Sequence, residues 1–308
     1  MISFYNPKLK KKKILIEENA FPSDLYAVQS QLKLHNNDPV NDLLILETGQ
    51  NKIISDQEII DIIKSNRDDI ALILLGGVNY LTGQLFDLKR IAKVAKECGC
   101  IIGLDLAHAA GNVKLELSKW GIDFAAWCGY KYLNGGPGAP SGVFINSKHI
   151  KSNRIKRLEG WWGHDKSSRF SISNKFKPIN SAEAWQLSNP PILSMAGLLC
   201  SLNIFDEVGM SDLIEKSQVM TSYLEYLLQE NFDDQIKILT PKNKNARGCQ
   251  LSIQFKSFDK DIINQLYQES VICDFREPNI LRIAPVPLYN SYIDCYNLVN
   301  IFKHIINE

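Results

Sequence analysis

The 308-residue chain carries 35 lysines and arginines against 34 acidic residues, a net charge of +1, and is 45% hydrophobic. That balance argues against nucleic acid or an anionic membrane as a partner, and no stretch of about 18 apolar residues marks a membrane span. The seven cysteines are odd in number and scattered, which fits reduced thiols in a cytoplasmic protein rather than a disulfide framework.

The chain opens Met1-Ile2-Ser3-Phe4-Tyr5, apolar from its first residue. This reads as the tail of an element that begins upstream. Pro7 to Lys13 follow, a lysine-rich stretch expected to be a solvated connection. Apolar runs then alternate with amphipathic segments. Ile14–Ile16, Leu43–Leu46, Ala71–Leu75, Ile101–Leu104, Phe124–Trp127 and Gly142–Ile145 are predicted strands, and Asp56–Arg67 and Asp87–Glu97 predicted helices. The alternation predicts an α/β fold with a mostly parallel sheet flanked by helices.

After about residue 150 the pattern changes. Pro190-Pro191 open a helical run through Val208, and a second helix is expected from Ser211 to about Leu228. Strands at Ile236–Leu239 and Gln250–Phe255, a helix near Asp261–Glu269, an extended stretch to Ile283 and a helix from Asn290 complete a smaller α+β domain. The expected division is 1–165 for a large α/β domain and 166–308 for connecting helices and the small domain.

Candidate functional residues stand beyond strand ends, where open α/β sheets gather ligands. Phe21-Pro22-Ser23-Asp24 follows the first strand. The aromatic could stack on a flat cofactor, and Ser23 or Asp24 reads equally as a helix cap. Asp105 closes a later strand, with His108 three residues on; a carboxylate and an imidazole there suit a cofactor, though a capped turn has the same sequence. Lys131 lies past the next strand between Tyr130 and Tyr132. Desolvation favours a neutral amine, and a neutral amine can form a Schiff base. The turn at Gly135-Gly136-Pro137-Gly138 is neither of the familiar phosphate loops, and no metal-ligand cluster is legible.

Several motifs recur in an order that resembles kynureninase. They are Asp-Leu-Ala-His-Ala-Ala-Gly-Asn (105–112), Trp-Cys-Gly-Tyr-Lys-Tyr-Leu-Asn (127–134), Gly-Trp-Trp-Gly-His (160–164), Ser-Asn-Pro-Pro-Ile-Leu (188–193) and Arg-Ile-Ala-Pro-Val-Pro-Leu-Tyr-Asn (282–290). The resemblance runs the length of the chain and implies the aminotransferase-like fold type I, with pyridoxal 5'-phosphate as cofactor. It implies that Lys131 carries the cofactor and shuttles protons, and that Asp105 pairs with the pyridinium nitrogen. Phe21 would stack on the ring, with Pro22, Ser23, Asp24 and His108 nearby. Tyr130, Trp161 and Asn189 match positions around the phosphate, and Tyr130 doubles as an acid–base group. Arg282 is the implied clamp for the substrate α-carboxylate. Gly76 stands where some family members place a hydroxyl residue near the cofactor.

The implied reaction is hydrolysis of L-kynurenine or its 3-hydroxy form to the corresponding anthranilate and L-alanine, a step of tryptophan catabolism toward NAD. A homodimer is implied too. Family members carry a segment before the point matching Met1 that helps bind the cofactor phosphate at a helix N-terminus. The expectation is therefore a chain lacking that segment, or one completed by a separately encoded N-terminal piece. A truncated non-catalytic remnant, or a partner subunit, with the same fold is the alternative. A cysteine desulfurase fits less well, since that family typically has glutamine at the place of His108 and histidine at the place of Tyr130.

Overall fold

The structure, a computed structural model, describes all residues except 9, 50, 153–154, 172–173, 257–260 and 308. The first half alternates strand and helix: β1 (Lys13–Glu17), α1 (Pro22–Leu34), β2 (Leu43–Leu46), α2 (Asp56–Ser65), β3 (Ile70–Gly76), α3 (Leu88–Glu97), β4 (Ile101–Asp105), α4 (Leu117–Trp120), β5 (Phe124–Trp127), β6 (Gly142–Ile145) and α5 (Ser147–Ile150). Six strands form one sheet in the order β2-β1-β3-β4-β5-β6. Every pairing is parallel except β5 with β6.

The apolar runs form strands because both faces of this sheet are covered. Leu15, Ile73, Leu75, Ile102 and Leu104 pack with α2 and α3 on one side. Ile14, Ile16, Leu72, Leu74 and Phe124 pack with Val28 and Leu32 of α1 on the other. Ser55 caps α2 through a reciprocal bond pair with Glu58, and Asp87 caps α3, one residue inside the predicted start.

The lysine-rich connection is not simply solvated. Position 9 lies outside the described residues, but Lys11 donates to the carbonyls of Arg67 and Cys98, each at 3.0 Å. Lys12 and Lys13 pair with Asp42 and Asp69, both at 2.9 Å. The carbonyls that Lys11 meets lie just past the C-terminal ends of α2 and α3, where the helix dipole favours a cation.

The second half comprises α6 (Ile192–Val208), α7 (Met210–Phe232), β7 (Ile236–Ile238), β8 (Leu251–Phe255), α8 (Ile262–Gln268), β9 (Asp274–Arg276), β10 (Ile280–Ile283) and α9 (Tyr292–Asn307). Gly209, at φ 82°, lets the chain turn by 85° between α6 and α7. The stretch expected to be merely extended is a hairpin: β9 and β10 join an antiparallel sheet in the order β7-β8-β10-β9. Helices α7, α8 and α9 cover it through Leu224, Leu228, Leu266, Val299 and Phe302. No single helix among the described residues is long and apolar enough to cross a membrane.

The loop after β3 ties the two sheets. Arg282 and Gln250 donate to the carbonyl of Tyr80 at 2.6 and 3.0 Å. Ser252 and Thr240 donate to those of Leu81 and Thr82, each at 2.6 Å. This seam carries the small-sheet residues to the rim of the large sheet.

Candidate active site

Strands β1, β3, β4 and β5 run parallel, so their carboxyl ends share one rim. Glu17, Gly76 and Asp105 end the first three, and the loop carrying Tyr130 and Lys131 follows the fourth. Phe21 is the N-cap of α1, with Pro22 at the first helical position, where its missing N–H costs nothing. No side chain caps this helix. The expected capping by Ser23 or Asp24 is therefore not observed: both sit inside the first turn, which frees the Asp24 carboxyl to reach the rim.

Asp24 and Asp105 stand in the wall of one cavity at this rim. Burial, the nearby Asp105 charge and Glu17 push the Asp24 carboxyl up to about 8, against a smaller lowering by Lys131. Asp105 Oδ1 accepts from the amide of Ala107 at 2.8 Å, which fixes its orientation. Lys131 Nζ lies 5.6 Å from the centroid of the Phe21 ring. His108 stacks edge-on to Tyr132 at 5.8 Å, and its Nδ1 is buried without a partner among the described residues. Burial holds its imidazole down to about 3, reinforced by the charges of Lys131, Arg282 and Arg276. Tyr130 is 54% exposed. The Cys128 group beside it and some burial move its hydroxyl upward, so it stays a proton donor.

Two cavities meet at this rim and share Phe21, Tyr130 and Lys131 as wall. One, of about 390 Å³, also takes in Ser23, Asp24, Asp105 and Trp127. The other, of about 470 Å³, is lined by Tyr80, His108, Tyr132, Arg276 and Arg282. Tyr80 and Arg276 were not singled out from the sequence. The Tyr80 ring meets Phe21 edge-on at 5.3 Å and lies 5.9 and 5.7 Å from the guanidinium carbons of Arg276 and Arg282. Asp274 pairs with both arginines. Arg282 Nε is buried with no hydrogen-bond partner among the described residues.

Of the predicted site residues, Phe21, Ser23, Asp24, Asp105, His108, Tyr130, Lys131 and Arg282 line these cavities. Pro22 starts the adjoining helix, and Gly76 is the register partner of Asp105. Trp161 and Asn189 line neither cavity. Trp161 is half-exposed and donates to the carbonyl of Arg169 at 3.0 Å, and Asn189 is exposed.

Residues 213–302 match the family model described as the kynureninase C-terminal domain. The whole chain is 48% identical to a kynureninase of Koribacter versatilis, covering 73% of its length. It is 47% identical, over 97% of its own length, to one from Myxococcus xanthus, of which it covers 70%. The chain belongs to the kynureninase family. Solved structures agree on the fold. A cysteine desulfurase from Thermococcus onnurineus, 17% identical, superposes with a TM-score of 0.78 over 97% of this chain and 74% of its own. The Escherichia coli cysteine desulfurase CsdA, 16% identical, gives 0.79 over 98% and 74%. The likeness extends to an alanine–glyoxylate aminotransferase from Nostoc, with a TM-score of 0.73 at 16% identity over 99% and 77%. The kynureninase matches span both sheets, so the small-sheet arginines belong to the family-related chain as much as the rim residues do.

Proposed function

We propose that this chain acts as a pyridoxal-phosphate-dependent hydrolase that cleaves L-kynurenine or 3-hydroxykynurenine to anthranilate or 3-hydroxyanthranilate and L-alanine. The observation that carries the reading is Lys131 in the wall common to two cavities, one walled also by Asp105 and the other by Arg282. The residues fit the cofactor: an aromatic face at Phe21, an amine at Lys131, a carboxyl pair at Asp24 and Asp105, and an imidazole whose buried Nδ1 lacks a partner. When bound, pyridoxal phosphate supplies an electrophilic carbonyl for the substrate amine and an electron sink for carbon–carbon cleavage.

The residues' own tasks follow from placement. Lys131 anchors the cofactor and moves a proton at the substrate α-carbon. Asp105 faces the ring nitrogen, and Asp24 holds a proton against Asp105. Phe21 covers the ring, with Pro22, Ser23, Gly76 and His108 around it. Arg282 receives the α-carboxylate, offering its unpartnered Nε. Tyr130 serves the phosphate side and donates a proton near the side-chain carbonyl that water attacks. Trp161 and Asn189 serve the phosphate of a neighbouring protomer, which requires a homodimer.

The exposed apolar face of α6 supports that dimer. Ile192, Leu193 and Leu199 are 76%, 91% and 61% exposed, an arrangement a monomer in water disfavours. The cytoplasm is the proposed compartment.

The test is an absorption spectrum of the chain mixed with pyridoxal phosphate, for the wild type and Lys131→Ala. A visible band that requires Lys131, followed by release of fluorescent anthranilate on adding kynurenine, is the expected result. A spectrum indifferent to Lys131 would sink the assignment.

A further inference from the structure

Three carboxyl groups gather at the rim, and the chemistry above uses two of them, Asp24 and Asp105. The third, Glu17, closes β1 and is 5% exposed. Its Oε1 accepts from the Gly76 amide at 2.9 Å and lies 2.8 Å from where a side-chain carbon at position 76 would stand. Its Oε2 is buried with no hydrogen-bond partner among the described residues.

Gly76 is the register partner of Asp105, and the next amide, that of Gly77, donates to the Asp105 carbonyl at 2.7 Å. A line of contacts thus runs from the Glu17 carboxyl through the amide that ends β3 and the one after it to the backbone of Asp105. The glycine at 76 leaves the room that the Glu17 carboxyl occupies.

We propose that Glu17 is a positioning residue whose carboxyl serves the site as a neutral hydrogen-bonding group, fixing the end of β3 against Asp105 and leaving the charge opposite the cofactor ring to Asp105 alone. This rests on the reading of the rim as a pyridoxal phosphate site. The groups that face Glu17 are acidic or neutral: Asp105 from β4, Asp24 from the first turn of α1, and the Gly76 amide of β3. Lys131, from the loop after β5, acts on Asp24. A buried carboxylate facing only backbone amides, those of Gly76 and Glu17 itself, is poorly compensated, whereas the protonated form is not. Burial accordingly raises Glu17 to about 7; the Gly76 amide opposes that rise and the Asp105 charge adds to it. Were Glu17 ionised, a second negative charge would stand beside Asp105 and compete to hold the ring's proton.

The test uses the full chain with Glu17→Gln, which keeps an uncharged acceptor for Gly76, and Glu17→Ala, which does not. The first readout is unfolding by urea without cofactor, from pH 4.5 to pH 7.5. Because Glu17 ionises with more difficulty in the folded state, wild-type stability should fall as pH rises between about 4.5 and about 7. The slope should exceed that of Glu17→Gln by roughly one proton; Asp24 contributes to both chains, and only the small part of its rise that Glu17 causes enters the difference. The second readout is the pH titration of the visible absorption with pyridoxal phosphate bound. The wild type should show an inflection near pH 7 that Glu17→Gln lacks, while Glu17→Gln keeps the wild-type spectrum at pH 6. Glu17→Ala should depart from it at every pH. Equal slopes in wild type and Glu17→Gln, an inflection that survives in Glu17→Gln, or a Glu17→Gln spectrum matching that of Glu17→Ala would each overturn the proposal. If no Lys131-dependent band forms in the wild type, the cofactor reading fails, and the cofactor-free slope still decides whether Glu17 holds a proton.

Discussion

The side chains of Asp24 and Asp105 share one cavity wall at the rim, although one belongs to the first turn of α1 and the other to the end of β4. Burial and, after it, the neighbouring Asp105 charge push the Asp24 carboxyl upward, so Asp24 keeps its proton. A carboxyl raised in the folded state binds an extra proton there, so stability falls as pH rises from about 4 to about 8. Asp105→Asn should shrink this fall without abolishing it, because burial is the larger cause. Urea midpoints at pH 5 and pH 8 for both chains give the answer, and an unchanged difference would contradict the influence of Asp105.

His108 has the opposite sign. Its folded value near 3 lies below the ordinary 6.5. The folded chain therefore binds fewer protons in that window, and stability is lost as pH falls through it. His108→Gln, which cannot be charged, should flatten the acid limb of the stability curve below pH 6.5. Denaturant unfolding at pH 4 and pH 7 measures it.

Arg282→Lys keeps the charge but loses the planar fork. One charge-assisted hydrogen bond is worth about 1.5–3 kcal/mol, so kcat/KM for kynurenine should drop by roughly one to two powers of ten. The loss should fall mainly on KM, since the α-carboxylate is bound before and during reaction alike. Steady-state kinetics would expose an error: a fall confined to kcat would place Arg282 at the reacting carbon instead.

Gly103→Ala probes the sheet itself. A side-chain carbon there would stand 2.1 Å from the Phe124 ring, which stacks on Phe4 at 4.5 Å between centroids. Overpacking of this kind costs about 1–3 kcal/mol, and thermal unfolding should show a lowered Tm with little change in the β7-β8-β10-β9 sheet.

Leu193→Asp with Leu199→Asp places two charges on the exposed apolar face of α6. Sedimentation velocity should move the chain from dimer to monomer, with far-UV circular dichroism unchanged. A wild-type chain that is already monomeric would remove the dimer from the functional reading.

The large sheet was legible because each strand is a short apolar run bounded by polar residues, a pattern that buried parallel strands impose. Asp105 and Lys131 were legible as candidates because they follow such runs directly. Glu17 follows Ile14-Leu15-Ile16 in the same way, but the adjacent Glu18 makes the pair look like a solvated turn. The continuation of the apolar run straight into an acid was the signal available. Tyr80 and Arg276 escaped because their nearness to the rim depends on packing between two sheets. The β9 strand, Asp274-Phe275-Arg276, is too short and polar for any periodicity to register.

Where the seam meets the loop after β3, the acceptors are peptide carbonyls at 80, 81 and 82. Every amino acid brings that same oxygen, so no exchange at these three positions can delete the acceptors. Drift at 81 and 82 is thereby uncoupled from these bonds, whereas position 80 also presents its ring to Arg282. The vulnerable partners are the donors, Gln250, Ser252, Thr240 and Arg282 itself, and sequence constraint should concentrate on them.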